Sequence, residues 1–199
     1  VNIGGMANLS VLAADPEGFP IGFDTGPGNV LMDIWCQRQL GQPFDGDGAW
    51  AASGVVNDTL LQHLLADPYF RQPPPKSTGR DRYNADWLDR VLASHPDCTP
   101  ATVQASLCEL TAVTIAEAAR RHEPATAKVL ICGGGARNRY LLERLQVHLT
   151  PREVATTACE SIDPWLVEPI GFAWLARELL AGRRAGPHHA TGATRPVPL

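Results

Sequence analysis

The chain has 199 residues, of which 44% are hydrophobic and 19% charged, so it can bury a core as one large domain or two small ones. Its net charge of −4 and its pI near 5.8 argue against a nucleic-acid or anionic-membrane partner. No apolar stretch reaches the roughly 20 residues that a membrane-spanning helix needs, and no signal peptide is visible.

The five cysteines are scattered, odd in number and without a Cys-x-x-Cys pair. This pattern predicts reduced thiols in a cytoplasmic protein, rather than a disulfide framework or a zinc site. The cysteines are Cys36, Cys98, Cys108, Cys132 and Cys159.

The N-terminal part of the chain predicts three antiparallel strands followed by a helix. The strands are predicted at 1–5, 6–13 and 21–24, the first turn at 15–18 and the helix at 29–40. Gly26-Pro27-Gly28 predicts a second turn between the third strand and the helix, and Gly41 is typical of a residue that ends a helix.

Residues 42–99 predict a helical insertion. Glycines interrupt the start of this region, and apolar residues at helical spacing predict two short helices at 57–66 and 84–93. Three prolines at 73–75 predict a rigid, extended loop between them. The region is too short and too broken to have its own core, so we expect it to pack on the main sheet.

The remainder alternates helices and strands. Thr99-Pro100 is typical of a helix start, and a long helix is predicted to about residue 122. A strand at 128–132, a helix at 138–147, a strand at 153–157 and a helix at 164–181 follow, with an irregular tail after Arg183. We expect Asp163 to cap the last helix, Pro169 to bend it and Gly182 to end it.

This order predicts an α/β fold: a mixed five-stranded sheet flanked by helices, with one helical insertion. It is the ribonuclease-H-like topology that sugar kinases and actin use twice. We therefore expect residues 1–199 to form one lobe.

Asp24 is the candidate catalytic residue. It follows a short apolar run that includes Gly22, and the glycine turn and the predicted start of a helix at Asn29 come directly after it. A strand can hold a carboxylate rigidly, glycines allow a ligand to approach the backbone, and a helix N-terminus favours nearby anions. The alternative is that Asp24 only caps the turn or the helix.

Three consecutive glycines, Gly133, Gly134 and Gly135, lie between a predicted strand and a predicted helix that starts at Asn138. Such a turn can place backbone N–H groups against a phosphate, or let an adenosine lie flat on bare backbone. The alternative is a tight structural turn. Because three glycines cost more chain entropy than such a turn needs, we favour nucleotide binding. The Rossmann glycine spacing is not met.

Two other acidic features are weaker. Residues 45–48 (Asp-Gly-Asp-Gly) resemble a calcium loop, but Ala49 and Trp50 occupy positions where such a loop needs a ligand and a glycine, so we expect solvated acids. Glu168 lies in the first turn of the last helix. It is either a surface acid favoured by the helix dipole or an acid that points into a cleft.

Taken together, the motifs resemble those of the anhydro-N-acetylmuramic acid kinase family, within the sugar kinase and actin-like ATPase superfamily. The matching stretches span nearly the whole chain: 2–9, 22–29, 31–33, 47–51, 74–80, 132–138, 172–176 and 191–193.

The resemblance implies a reaction and its reagents. Members of this family use ATP and Mg²⁺ to open a 1,6-anhydro sugar ring with water and to phosphorylate the sugar at O6, which serves cell-wall recycling. Asp24 matches the family's catalytic base, and Gly22 and Glu168 are expected to contact the sugar. The residues expected at phosphate or nucleotide are Gly4, Gly5, Asn8, Gly26, Gly28, Asn29, Gly133, Gly134, Gly135 and Asn138. No residue is assigned as a metal ligand, and a cytoplasmic homodimer is expected.

Two departures from the family pattern are visible. The resemblance covers the C-terminal half of the family's sequence, so the N-terminal lobe with its first phosphate loop is not in this chain, and we expect the chain alone to be inactive. In addition, Pro169-Ile170-Gly171 replaces a small, alanine-rich run.

Three hypotheses follow. The first is an ATP-dependent sugar kinase seen as one half. The second is a non-catalytic sugar or nucleotide sensor, which would have no need for Asp24. The third is an interaction module in which the long helix at 99–122 exposes an apolar stripe to another chain.

Overall fold

The structure is a computed structural model and describes residues 1–12 and 20–183. The predicted turn at 15–18, the predicted irregular tail and the matching stretch at 191–193 lie outside the described residues.

The described residues form five strands and seven α-helices, in the predicted order apart from a short helix at Ala49–Ser53 that was not predicted. The strands are β1 (Asn2–Ile3), β2 (Met6–Val11), β3 (Ile21–Pro27), β4 (Lys128–Ile131) and β5 (Glu153–Thr156). The helices are α1 (Val30–Leu40), α2 (Ala49–Ser53), α3 (Asp58–Leu65), α4 (Ala85–Leu92), α5 (Pro100–His122), α6 (Arg139–Leu149) and α7 (Val167–Leu180). Short 3₁₀ helices cover Gly46–Gly48, Pro68–Arg71, Gly134–Arg137 and Thr157–Glu160.

The strands form two sheets that meet at one point. Strands β1, β2 and β3 are antiparallel neighbours in that order, and β4 pairs in parallel with β5. An isolated parallel bridge joins Asn2 to Cys132, where Ile3 N donates to Cys132 O (2.9 Å) and Cys132 N donates to Val1 O (2.8 Å). The mixed α/β class is therefore confirmed.

Strand β3 is longer than predicted. A turn was expected at Gly26-Pro27-Gly28, but its first two residues belong to the strand. Gly26 and Pro27 stay in the strand and pair with Ala7 and Met6, after a bulge between Ala7 and Asn8. Strand pairing outweighs the turn preference of these residues. Asp24 consequently lies inside the strand instead of at its end.

Helix α5 is the centre of the core. Its residues Leu107, Leu110 and Ile115 are buried, and the helix contacts β2, β3, α1, α2, α3 and α6. Thr99 caps it as predicted, since its side chain accepts a hydrogen bond from Thr102 N. The apolar stripe required by the interaction-module hypothesis is thus covered within the chain itself.

A buried charge cluster joins α5 to α6. The Glu109 carboxylate, 5% exposed, accepts hydrogen bonds from Arg144 Nε (2.7 Å) and Nη2 (2.9 Å) and contacts His148 Nε2 (2.6 Å). Burial alone would raise the pKa of Glu109, but the bonds from Arg144 and His148 outweigh it and hold the pKa below its usual value. The ionised carboxylate is therefore the stabilised form.

Helix α7 is apolar but largely exposed. Ile170, Phe172 and Trp174 are exposed, Phe172 by 70% of its surface. The helix begins at Val167, and Asp163 accepts from Trp165 N in the preceding turn, so the prediction that Asp163 caps the helix is wrong. No helix of the described residues is both long and apolar enough to cross a bilayer.

The predicted bend at Pro169 is also wrong. Because α7 starts at Val167, Pro169 lies in its first turn, where backbone N–H groups have no intrahelical acceptor. The regular helical bonding starts at the next residue, with Ile170 N donating to Leu166 O (2.8 Å). Gly182, at φ +65°, follows the helix end as predicted.

We predict that Glu109→Gln lowers the free energy of unfolding by about 2 kcal/mol near neutral pH, since it removes the carboxylate that pairs with the partly buried guanidinium of Arg144. The contribution of Glu109 is present above its unfolded pKa and is lost as pH falls through the lower folded pKa. Urea unfolding of both proteins at several pH values tests this, and the difference should shrink in acid. An equal difference at every pH would contradict the prediction.

We also predict that the chain alone exposes an apolar surface on α7. It should bind a hydrophobic dye or self-associate, and Phe172→Ser should weaken both effects. Val147→Ser is the matched control, because Val147 is a 59% exposed apolar residue on α6. Equal effects of the two substitutions would show that α7 is not the responsible surface.

Candidate active site

The three-stranded sheet has one apolar and one polar face, because side chains alternate along each strand. Residues on the apolar face are buried, and the ring of Phe23 lies 4.8 Å from that of His122 on α5. The buried residues are Ile3, Ala7, Leu9 and Phe23. The half-buried residues that alternate with them include Asn2, Asn8, Gly22 and Asp24. The predicted base thus lies on a polar, accessible face.

Three of these polar residues form a row across the sheet. Asn2 pairs with Asn8, and Asn8 pairs with Asp24, so their side chains project from the same face. Two strand spacings separate Asp24 from Asn2 by about 10 Å. At the far end, Asn2 Nδ2 donates to Glu168 Oε1 (3.0 Å). The row therefore connects the two acids that the sequence nominated, through Asn2, which sequence reasoning had given no role.

The carboxylate of Asp24 is held by the loop before α4. Ser77 Oγ (3.0 Å) and Thr78 N (2.9 Å) both donate to Asp24 Oδ2. Asp24 N donates to Lys76 O (3.2 Å), and Tyr69 Oη donates to Asp24 O (2.8 Å). Among the described residues, Oδ1 receives no hydrogen bond, so one oxygen fixes the orientation and the other is available to a ligand.

This arrangement argues against the alternative that Asp24 only caps the turn or the helix. A capping aspartate would accept from the first amides of α1, whereas both donors to this carboxylate come from the loop at 76–78. Sequence reasoning gave Lys76-Ser77-Thr78 no role of its own and so missed this contact. The signal lay in the resemblance, whose 74–80 stretch was given no function.

Lys76 fastens the same loop to the preceding segment. Its Nζ donates to Tyr69 O (3.1 Å) and lies 4.6 Å from the centre of the Tyr69 ring. Burial, with a smaller contribution from the charge of Arg121, lowers the pKa of Lys76. The loop is therefore also anchored to Tyr69, just before the residues that bind the Asp24 carboxylate.

The β1–β2 hairpin, predicted to bind phosphate, contacts the start of α1. Gly4 O accepts from Asn29 N (2.8 Å), and Gly5 O accepts from Gly28 N (2.9 Å) and Val30 N (3.1 Å). These amides are satisfied within the chain, so phosphate contacts predicted for Gly28 and Asn29 must use other atoms. A Cβ on Gly28 would lie 2.5 Å from Gly4 O, so close packing against the hairpin excludes any larger residue at this position. Gly26 similarly packs against the ring of Phe70.

The glycine triplet serves packing and a cavity together. Gly133 has φ +78°, and a Cβ there would lie 2.2 Å from Asn2 Oδ1. A Cβ on Gly135 would lie 2.4 Å from Ile3 Cγ2. Gly134 lines a cavity of the described part of the chain, and a Cβ there would have Asn29 Nδ2 as its nearest neighbour. Gly133 and Gly135 therefore fit the structural-turn alternative, whereas nucleotide binding at Gly134 stays a prediction.

That cavity has a volume of about 420 Å³, within the range of small-molecule sites. Arg137 stacks over the Trp165 ring at 4.6 Å, and Asn138 accepts from Leu141 N to cap α6. The lining residues are Asn29, Met32, Asp33, Phe44, Asp45, Gly134, Arg137, Asn138 and Trp165. Planar aromatic and guanidinium groups, together with a few polar atoms, suit a flat heterocycle such as a nucleobase.

Two acids line this cavity. Burial raises the pKa of Asp33 to about 6, against an opposing effect of the Arg80 charge. Asp45 accepts from Trp50 N (2.9 Å) and Ala51 N (2.8 Å), so the prediction that it is a solvated loop acid is wrong. The described residues contain no group of three or more His, Cys, Asp or Glu side chains that could hold a metal ion.

We predict different costs for alanine within the triplet. Gly133→Ala should lower the free energy of unfolding by roughly 2–4 kcal/mol, because it adds left-handed strain to a clash with Asn2. Gly134→Ala is the matched control and should change it by only about 0.5 kcal/mol. Urea unfolding measures both, and equal values would contradict the assignment of Gly133 to packing and Gly134 to the cavity wall.

Comparison with known proteins identifies relatives along the whole chain. A family model described as anhydro-N-acetylmuramic acid kinase matches residues 1–199. The anhydro-N-acetylmuramic acid kinase of Xanthomonas campestris pv. campestris (strain 8004) is 51% identical over 196 residues, which cover 98% of this chain and 51% of the relative. The enzyme of the same name from Cupriavidus pinatubonensis is 50% identical over 197 residues, with 98% and 52% covered.

A third relative, the anhydro-N-acetylmuramic acid kinase of Coxiella burnetii (strain Dugway 5J108-111), is 46% identical over 195 residues, with 98% of this chain and 52% of the relative covered. The chain thus spans about half the length of the curated relatives that it matches. Because the family model matches every residue, the chain belongs to the anhydro-N-acetylmuramic acid kinase family.

Proposed function

We propose that the protein is a kinase that uses ATP to open 1,6-anhydro-N-acetylmuramic acid with water and to phosphorylate it at O6, giving N-acetylmuramic acid 6-phosphate. The observation that carries the proposal is the state of Asp24, whose Oδ2 is fixed by Ser77 and Thr78 while Oδ1 receives no hydrogen bond from the described residues. The names and identities of the relatives support the choice of substrate.

The proposal includes the architecture. We infer that β1 to β5 form one mixed sheet of a ribonuclease-H-like lobe, with residues 42–99 as a helical insertion. The parallel bridge between Asn2 and Cys132 supports this inference, because it places β1 beside β4. We further infer that the lobe is the C-terminal half of a two-lobed enzyme and is inactive, or nearly so, alone.

In the proposed reaction, Asp24 Oδ1 takes a proton from a water molecule that attacks the anomeric carbon. The new bond joins that water oxygen to C1, and the bond from C1 to the bridging oxygen breaks. The bridging oxygen, still attached to C6, takes the γ-phosphoryl group as its bond to ADP breaks. A base held in one orientation lowers the entropy cost of this arrangement.

The sugar is proposed to lie along the polar row. Gly22 lies two residues before Asp24 on the same strand, so it leaves that face open beside the base. Glu168, held by Asn2, and Asn8 offer hydrogen-bonding groups farther along the row. The separation of about 10 Å between Asp24 and Asn2 leaves room for one sugar ring between the base and Glu168.

The nucleotide is proposed to occupy the cavity beside Gly134 and Asn138, with its phosphates directed to the Gly4-Gly5 hairpin. Mg²⁺ in kinases is held largely by the phosphates, with one or two carboxylates, and neutralises their charge. The described residues contain no cluster of carboxylates that could hold the ion by themselves, which fits binding of Mg²⁺ mainly through the phosphates. No residue of this chain is therefore assigned to the ion. A cytoplasmic homodimer completes the proposal, in keeping with five free cysteines.

The test is sugar-dependent ADP release by the complete gene product. Asp24→Asn should reduce turnover by about 100-fold or more, the usual effect of losing a general base. Ser77→Ala should reduce it by a smaller factor, about 10-fold, since Thr78 N still holds Oδ2. Asp86→Asn, a change at an exposed acid of α4, is the control and should leave turnover unchanged.

Turnover that survives Asp24→Asn would remove this residue from the mechanism. A folded wild type that binds the sugar or ATP without releasing ADP would replace the kinase with the sensor hypothesis.

A further inference from the structure

Arg80 places a guanidinium against the hairpin that is proposed to bind phosphate. A Cβ built on Gly5 would lie 3.5 Å from Arg80 Nη2 and 3.6 Å from Nε, so the guanidinium covers one side of Gly5. Arg80 comes from the insertion, far from Gly5 in sequence. The fold thus adds a cation to a hairpin whose own sequence carries none.

The Arg80 guanidinium has no hydrogen-bonding or ion-pair partner among the described residues. Among residues 1–12 and 20–183, Arg80 donates no hydrogen bond and has no carboxylate within the 4.0 Å of an ion pair. Its neighbour Arg82, by contrast, is paired with Asp67. A guanidinium presents five donors in a planar fork that suits phosphate oxygens, so a held but unpaired arginine is suited to an anionic ligand.

Arg80 also borders a cavity that it shares with Asp33, and no ion pair joins the two among the described residues. Asp33 lines the nucleotide cavity together with Gly134, and also a neighbouring cavity of about 210 Å³ that Arg80 lines. The charge of Arg80 opposes the rise that burial causes in the pKa of Asp33. Arg80 therefore borders open space next to the cavity that Gly134 lines.

The backbone of Arg80 is fixed on both sides. Thr78 N is bonded to Asp24, and Gly79 O accepts from Arg82 N (3.1 Å) and from the N of the fully buried Tyr83 (3.0 Å). Only Gly79 lies between Thr78 and Arg80, and two residue steps span at most about 7 Å. The same short loop thus sets the positions of the base and of the guanidinium.

We propose that Arg80 binds the terminal phosphate of the nucleoside triphosphate and stabilises the phosphoryl group during transfer, so that the loop at 76–80 carries both the support for the base and the phosphate clamp. The inference rests on the proposed kinase function. It assigns to Arg80 a direct contact with the transferred group, and it explains why a loop of the insertion contacts both Asp24 and the Gly5 hairpin.

The test compares nucleotides that differ only in the terminal phosphate. Binding of ADP and of a non-hydrolysable ATP analogue, each with Mg²⁺, is measured by titration calorimetry on the complete gene product. Arg80→Ala should weaken binding of the ATP analogue by about 10- to 100-fold, as expected for hydrogen bonds to a charged group, and leave that of ADP within about 2-fold. Arg80→Lys should restore part of the loss, because it keeps the charge but not the fork.

Arg90→Ala, at an exposed arginine of α4, is the matched control and should change neither affinity. Equal losses for ADP and the ATP analogue, or weaker binding of the sugar alone, would overturn the assignment to the terminal phosphate. A wild type that binds nucleotide and turns over, with Arg80→Ala unchanged in both, would overturn this inference and leave the proposed function standing. A wild type that binds no nucleotide would overturn both.

Discussion

The site depends on the contact between β3 and the loop at 76–78. Ser77 and Thr78 donate to one oxygen of Asp24, while Lys76 O accepts from the Asp24 amide at the outer edge of the sheet. The contact joins the insertion to the strand that carries the proposed base. It also determines where Arg80 can lie. One set of hydrogen bonds therefore fixes the orientation of Asp24 and places Arg80 near the glycine hairpin.

Close packing of glycines forms the second constraint. Gly28 allows the end of β3 to meet the β1–β2 hairpin, and Gly133 lets the triplet approach Asn2. These contacts leave Gly134 on the wall of the cavity and bring Asn2 to Glu168. The glycines thus place the polar row close to the cavity that Gly134 lines, and several of them are explained by packing alone. Their pattern is therefore as much a requirement of assembly as a sign of binding.

The order of strands and helices could be predicted from the sequence, because local periodicity and caps such as Thr99 and Gly41 are strong and short-range. The extent of β3 could not, since pairing with Met6 and Ala7 overrides the turn preference of Gly26 and Pro27. Asp24 was proposed as the base from its local context and the family resemblance. Its partners Ser77 and Thr78, and the approach of Arg80 to Gly5, join residues more than 50 positions apart, and no local pattern indicates such contacts. The same limit hid the hydrogen bonding of the half-buried Asp45, which accepts from Gln104 of α5.

The central claim is that water opens the sugar ring at the anomeric carbon while the bridging oxygen takes the phosphoryl group. The most direct measurement is the reaction of the complete gene product in ¹⁸O-labelled water, with rapid quenching and mass spectrometry of the products. The account predicts one labelled oxygen on the sugar carbon framework at C1 and none in the phosphate group attached at O6. Label found in free phosphate, with no sugar phosphate formed, would contradict it.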